Sequence, residues 1–199
     1  MKDQKVPIWD QASNDARPTL SMNPKKFSMW LFLLSVVMVF ASLTSGYIVR
    51  KSEGNWVDFE LPPVFWLTTA ILLLSSLTHH LAFIHAKKDN LGQVKGWMGI
   101  TALLGLAFLV SQWYSWVYLV NINVYFSGNN VAGSFLYVLT GLHMLHVLSA
   151  VIFVLIITWR TQQYKVHSKN LLGIELCATY WHFLDALWIY LFAFLTVFH

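Results

Sequence analysis

The chain has 199 residues, of which 57% are hydrophobic and only 11% are charged. A soluble domain of this size could not bury so much apolar surface, so the composition indicates an integral membrane protein. The formal net charge is +4, but the sequence has no basic stripe with interleaved aromatic residues, which argues against nucleic acid as a partner. The single cysteine, Cys177, excludes an intramolecular disulfide.

The chain begins with a polar segment, residues 1–26, which we predict to be a cytoplasmic tail. The segment carries mixed charge and lacks the short apolar core of a cleavable signal peptide. Pro24 near its end disfavours helix before the first apolar segment.

Residues 27–199 are predicted to form one domain that contains five transmembrane helices. Each apolar segment is long enough to cross ~30 Å of hydrocarbon at ~1.5 Å per residue, and none contains Lys or Arg. The segments are too continuously apolar for barrel strands, so the predicted fold class is all-α, an integral membrane bundle. The predicted spans are residues 27–49, 64–86, 97–120, 133–159 and 174–198.

The basic residues of the loops predict the orientation. The tail, the second loop and the fourth loop hold five, three and three Lys or Arg, whereas the opposite side holds only Arg50 and Lys51. Because basic loops face the cytoplasm, the N-terminus should lie inside and the C-terminus outside. Five tryptophans fall near span ends, where indoles favour the membrane interface: Trp30, Trp66, Trp97, Trp159 and Trp181.

The first span repeats a small polar residue at Ser28, Ser35 and Ser42. Seven-residue spacing keeps these side chains nearly on one helical face, and small residues let a neighbouring backbone approach closely. Two interpretations remain open. The serines form a docking face for a partner helix, or they pack inside this bundle.

Spans four and five carry ionisable side chains at membrane depth, where lipid offers no water to solvate them. Counting from the predicted cytoplasmic ends places Asp185 at ~17 Å and His146 at ~20 Å, so these two side chains could meet at one level. His182 at ~12 Å and His79 at ~9 Å could meet at another. We therefore expect at least one carboxyl–imidazole or imidazole–imidazole contact.

Several chemistries could use this cluster. His143 and His146, three residues apart on one face, are candidate haem or metal ligands, as in a haem-binding membrane anchor. A chain of histidine and carboxyl groups could relay protons or bind the ion of a small multispan transporter. A metal pair bound by carboxylates needs more acidic residues than Glu175 and Asp185. The remaining alternative is a buried hydrogen-bond network that holds two helices in register.

The sequence also contains a specific pair of motifs. The run TGLHMLHV at 140–147, followed by Glu175 and then YWHFLDALW at 180–188, closely resembles subunit III of the haem–copper terminal oxidases, of both the cytochrome c and the quinol type. The five spans match the short form of that family, which lacks the first two helices of the seven-helix form. Weaker matches extend the likeness over nearly the whole chain: residues 26–32, 72–76 and 105–112.

This resemblance implies an accessory subunit that holds no haem, copper or other metal, these being expected in oxidase subunits I and II. It implies packing against subunit I, support of proton uptake, protection against inactivation during turnover, and binding of phospholipid in a bacterial inner membrane. Membership of a larger respiratory supercomplex is compatible with it. By carry-over, six residues are a structural fingerprint and not catalytic or cofactor-binding groups: His143, His146, Glu175, His182, Asp185 and Trp188.

Two departures from the family limit what is carried over. The family often has a Glu three residues after the Gln of its third span, where this chain has Ser115 after Gln112. The family often has a carboxylate after the serine of its opening span, where this chain has Val36 after Ser35. The proton-pump behaviour linked to that carboxylate is therefore not assigned to this chain. Without the two leading helices, the lipid-holding cleft of the long form is either incomplete or completed by helices of a partner.

Overall fold

The computed structural model describes residues 23–53, 56, 59–88, 90–127, 130–162 and 172–198. Regular structure in these parts of the chain is α-helical, and five helices are long and apolar enough to cross a membrane. The predicted fold class and number of spans are thus confirmed. The helices are α1 Pro24–Ser52, α2 Val64–Lys87, α3 Leu91–Asn121, α4 Val131–Gln162 and α5 Leu172–Phe198.

The helices reach or pass the ends of the predicted spans, because apolar composition marks only the part in hydrocarbon while the backbone stays helical in the polar flanks. α1 begins at Pro24, whose fixed φ and missing N–H suit the first helical position. The Asn23 side chain accepts a hydrogen bond from the Lys25 N–H at 3.1 Å and caps this end. The last part of the predicted polar tail is therefore helical, and residues 1–22 lie outside the described residues.

α1 and α5 run in the same direction, as two contacts at opposite ends show. Lys26 Nζ lies 2.7 Å from Glu175 Oε1 at one end, and Lys51 Nζ lies 2.6 Å from the Phe198 carbonyl oxygen at the other. We call the end with the Lys26–Glu175 ion pair the basic end. Its cytoplasmic location stays a prediction, and five of the eleven basic residues behind that prediction lie outside the described residues: Lys2, Lys5, Arg17, Lys165 and Lys169.

α5 is the central helix of the bundle. Its backbone packs against α1, α2 and α4, and its side chains also reach α3. α2, α3 and α4 pack in chain order, and among the described helices α1 packs on α4 and α5. Because lipid is as apolar as a helix surface, such packing depends on close fit and hydrogen bonds. At Gly105 of α3 an added Cβ would lie 2.7 Å from Trp181 and 2.7 Å from Val151, so only glycine lets these helices come this close.

Candidate functional site

A group of aromatic rings encloses His143 in the centre of the bundle. The His143 ring centroid lies 5.1 Å from that of Trp188, 5.8 Å from Phe108 and 6.5 Å from Phe40. His143 is fully buried, and neither ring nitrogen has a hydrogen-bond partner among the described residues. We call these four residues the inner cluster. They come from α4, α5, α3 and α1, so the imidazole serves as a packing surface where four helices meet.

Trp188 connects the inner cluster to the remaining helix, α2. Its indole Nε1–H donates to Thr69 Oγ1 at 3.0 Å, and its ring lies edge-on to Phe65 at 5.7 Å. A buried indole N–H needs such an acceptor, and the threonine of α2 supplies it. The tryptophan of the fingerprint therefore contacts side chains of α2, α3 and α4, while α1 reaches the inner cluster through Phe40.

A second group of polar side chains lies between α2 and α5. Ser76 Oγ and His182 Nδ1 are 2.8 Å apart, and Asp185 Oδ2 lies 4.0 Å from the same nitrogen. The Ser76 hydroxyl also lies beside the Asp185 carboxyl. The rings of His79 and His80 lie 5.9 Å and 6.2 Å from that of His182. We call these five residues the outer cluster, and it contains the His79–His182 imidazole pair that the depth count suggested.

The outer cluster extends from the interior to the surface of the chain. Asp185 is 5% exposed and its Oδ2 has no hydrogen-bond partner among the described residues. The His182 side chain is 37% exposed, and His80 is exposed. The arrangement is therefore closed on the side of the carboxyl and open on the side of two imidazoles.

The suggested meeting of Asp185 with His146 is not found among the described residues. His146 Nδ1–H donates to the Leu142 carbonyl oxygen at 2.7 Å, and its ring lies 5.8 Å from that of Phe40. Its contact with α5 is at Tyr180, whose hydroxyl donates to the His146 carbonyl oxygen at 3.3 Å. Tyr180 and Asp185 are five residues apart, so their side chains point ~140° apart around α5. Because Tyr180 faces His146, Asp185 lies on another side of the helix, although its depth is close to that of His146.

Glu175 lies apart from both clusters, in the partly exposed ion pair with Lys26 at the basic end. Ser28, Ser35 and Ser42 are exposed on α1, and each hydroxyl donates to a carbonyl oxygen of its own helix at 3.0, 2.7 and 2.8 Å. They do not pack inside this bundle, so the docking of a partner helix on them stays a prediction.

The structure adds residues that the sequence did not single out. Trp181 is buried and donates to Ser75 Oγ at 3.1 Å, and its place near the membrane interface stays a prediction. Phe108 belongs to the inner cluster and Ser76 to the outer cluster, although neither was a predicted site residue. A signal was present for Ser76, because hydroxyl pairs recur on span two at seven-residue spacing, but such side chains usually bond only to their own helix.

The clusters were tested for their fit to a haem or a metal. His143 and His146 do not present nitrogens to a common point, because rings enclose the first and the second bonds to its own helix. Within the described ranges, no three His, Cys, Asp or Glu side chains are grouped as a metal site requires. The outer cluster can instead donate and accept hydrogen bonds across a helix interface.

The chain matches the family described as cytochrome c oxidase subunit III over residues 14–199. A cytochrome c oxidase subunit 3 from Bacillus sp. (strain PS3) is 32% identical over 186 residues, which cover 91% of this chain and 89% of that protein. One from Thermostichus vulcanus is 31% identical over 175 residues, 84% of each chain. A cytochrome bo(3) ubiquinol oxidase subunit 3 from Pseudomonas aeruginosa is 33% identical over 171 residues, 83% of this chain and 81% of that protein.

Proposed function

This chain belongs to the cytochrome c oxidase subunit III family and is a subunit of a haem–copper terminal oxidase, and on this premise we propose that its role is non-catalytic. It stabilises subunit I, which reduces oxygen, and supports proton uptake into it. The electrons and the oxygen chemistry belong to haem and copper in subunits I and II. This polypeptide contributes a rigid helical body and contacts with phospholipid.

The observation that carries this proposal is how the fingerprint residues are used. His143 is packed among rings from three other helices, Trp188 bonds to Thr69, and His182 bonds to Ser76. Each of these contacts joins two helices of this chain. Side chains engaged in this way fix the shape of the bundle, which is what a scaffold for a larger partner requires.

We assign cytochrome c as the electron donor of the oxidase, with quinol as the alternative. The family description and the Bacillus relative name cytochrome c, and the Pseudomonas relative, named for ubiquinol, is as similar. The chain is a multi-pass membrane protein of bacterial type, and we place it in the inner membrane with the basic end in the cytoplasm. Lysines at the start of α1 and the end of α2 support this orientation.

Purification in mild detergent through a tag on this chain tests the proposal. We expect two larger oxidase subunits to copurify, identified by mass spectrometry, together with haem absorption and oxidase activity. The same chain expressed without the other subunits should show no haem band, and untagged cells processed in parallel supply the background.

Two results would contradict this role. A haem band in the chain expressed alone would point to a haem-binding anchor. A chain that copurifies with no oxidase subunit and carries ions across vesicles by itself would point to a transporter that uses the outer cluster.

A further inference from the structure

Two imidazoles of the outer cluster reach the outside of the chain at membrane depth. His80 lies ~10 Å from the end of α2, and His182 lies ~15 Å from the start of α5, which places both within the hydrocarbon. His80 is exposed, and 37% of the His182 side chain is exposed. Ionisable residues in membrane spans face a protein interior or water, not lipid. This part of the surface is therefore covered by something more polar than acyl chains.

Other outward faces of the bundle differ from this one. Most exposed residues at the middle of α3 and α4 are apolar, as lipid contact requires. Examples are Leu103, Leu106, Val110, Leu145, Leu148 and Ile152. The exposed imidazoles are thus a property of one surface and not of the bundle as a whole.

The same surface has the shape and chemistry to receive a helix. We call it the histidine face, formed by Leu73, Ser76 and His80 of α2 with His182 and Ala186 of α5. Leu73 is 48% exposed, and Ala186, one turn from His182, is exposed and small enough to let another backbone approach. The spacings of three and four residues along each helix keep these side chains on one side.

Beneath this face lies an unused hydrogen-bonding group. Asp185 is 5% exposed, and its Oδ2 has no partner among the described residues although it lies 4.0 Å from the His182 ring. His182 uses Nδ1 towards Ser76, which leaves Nε2 on the far edge of the ring for a group outside the chain. A hydrogen bond to a buried polar group in a low-dielectric site is strong, and an unmade one is costly.

We propose that a membrane-spanning helix of another oxidase subunit packs on the histidine face and places a hydrogen-bonding side chain at the level of His182. The inference rests on the proposed function, because it requires an oxidase complex. The inference identifies the surface of this chain that contacts the rest of the oxidase complex. The small residue brings the two backbones together, and the imidazoles supply the polar contact that lipid cannot make.

Photo-crosslinking in the intact complex tests this. A benzophenone amino acid is placed at Leu73 in one variant and at Leu103, 67% exposed on α3, in a matched control. Both leucines are outside the core, so neither change disturbs folding. We expect irradiation to join Leu73 to a membrane-spanning peptide of another oxidase subunit, and Leu103 to lipid, as identified by mass spectrometry.

Adducts of Leu73 with lipid alone, with a second copy of this chain, or with nothing would overturn the inference. So would equal protein adducts at the two positions. If no haem-containing subunit copurifies with the unmodified tagged chain, the proposed function itself is rejected. If haem copurifies and Leu73 still joins only lipid, the proposed function stands and the histidine face is rejected.

A second pair of variants tests the close approach without a photoreactive group. Ala186→Leu should lower the fraction of this subunit retained on the complex by about tenfold, because the added side chain separates the two backbones. Ala107→Leu, on the exposed apolar face of α3, should leave retention unchanged. Equal retention of both variants would show that Ala186 faces lipid.

Discussion

The inner and outer clusters both place histidine at membrane depth, and they differ in what surrounds it. In the inner cluster His143 is fully buried, and its nitrogens have no hydrogen-bond partner among the described residues. In the outer cluster His182 bonds to Ser76 and remains partly exposed. The same residue type therefore acts as a packing ring in one place and as a hydrogen-bonding group at a surface in the other.

This difference has a physical cause. Helices in a bilayer gain little from burying apolar surface against each other, so the inner cluster depends on the fit of rings from several helices. The outer cluster depends on polar contacts that lipid cannot replace. Changes in the inner cluster should therefore unfold the chain, and changes in the outer cluster should detach it from partners.

The largest effect is expected for Trp188→Ala. Removing a fully buried indole that contacts α2, α3 and α4 should lower the free energy of unfolding by about 3–5 kcal/mol. This loss of stability is measured by thermal unfolding of the purified oxidase, with release of this subunit as the signal. Trp159→Ala, at an indole that is exposed, is the matched control and should have little effect. Equal losses would show that the inner cluster does not hold the bundle together.

A smaller effect within the same region is expected for Gly105→Ala. The new Cβ would lie 2.7 Å from Trp181 and Val151, so α3 must move away, at a cost of about 1–3 kcal/mol. Gly99 is on the same helix and has no atom within 4 Å of an added Cβ, so Gly99→Ala should be neutral or slightly stabilising. The thermal midpoints of the two variants, compared directly, decide whether close packing at Gly105 matters.

The outer cluster should respond differently. His182→Leu removes the bond to Ser76, worth about 0.5–1.5 kcal/mol, and leaves the Asp185 carboxyl without its neighbour. We expect the isolated chain to fold, and the complex to lose this subunit and its activity sooner during turnover. The initial rate per haem should be kept in complexes that remain whole. His143→Leu is the counterpart and should lower the stability of the isolated chain. Loss of haem from the His182→Leu complex would indicate a ligand role and break the comparison.

The sequence predicted the helices well because apolar length alone decides whether a segment can cross a bilayer. It also placed His79 and His182 at one depth, since rise per residue is constant along a helix. It did not predict that Asp185 and His146 would lie on different sides of α5, because depth fixes one coordinate and rotation about the helix fixes the other. The direction in which α5 faces depends on contacts with three helices at once.

The sequence did not predict the inner cluster for a related reason. Phe108 and Phe40 are ordinary apolar residues of their spans, and nothing in their spacing distinguishes them from lipid-facing phenylalanines. Only the packing of four helices brings them to His143. The burial of Trp181 was not predicted either, because it depends on the glycine of α3 that makes room for it.

The smallest effect is expected outside both clusters, at the ion pair of Lys26 with Glu175. Their side chains are about two-fifths exposed at the basic end, so the pair should contribute about 0.2–1 kcal/mol, and less in high salt. A double-mutant cycle of Lys26→Ala and Glu175→Ala, measured by thermal unfolding at low and high salt, gives the coupling energy. The Arg50–Glu53 pair at the C-terminal end of α1 is the control, since it joins no two helices. Of the five helices, α1 has the smallest buried share, so its attachment to the bundle depends on few contacts. A coupling energy as large as the loss for Trp188→Ala would mean that the ion pair at the basic end, and not the inner cluster, holds α1 to the bundle.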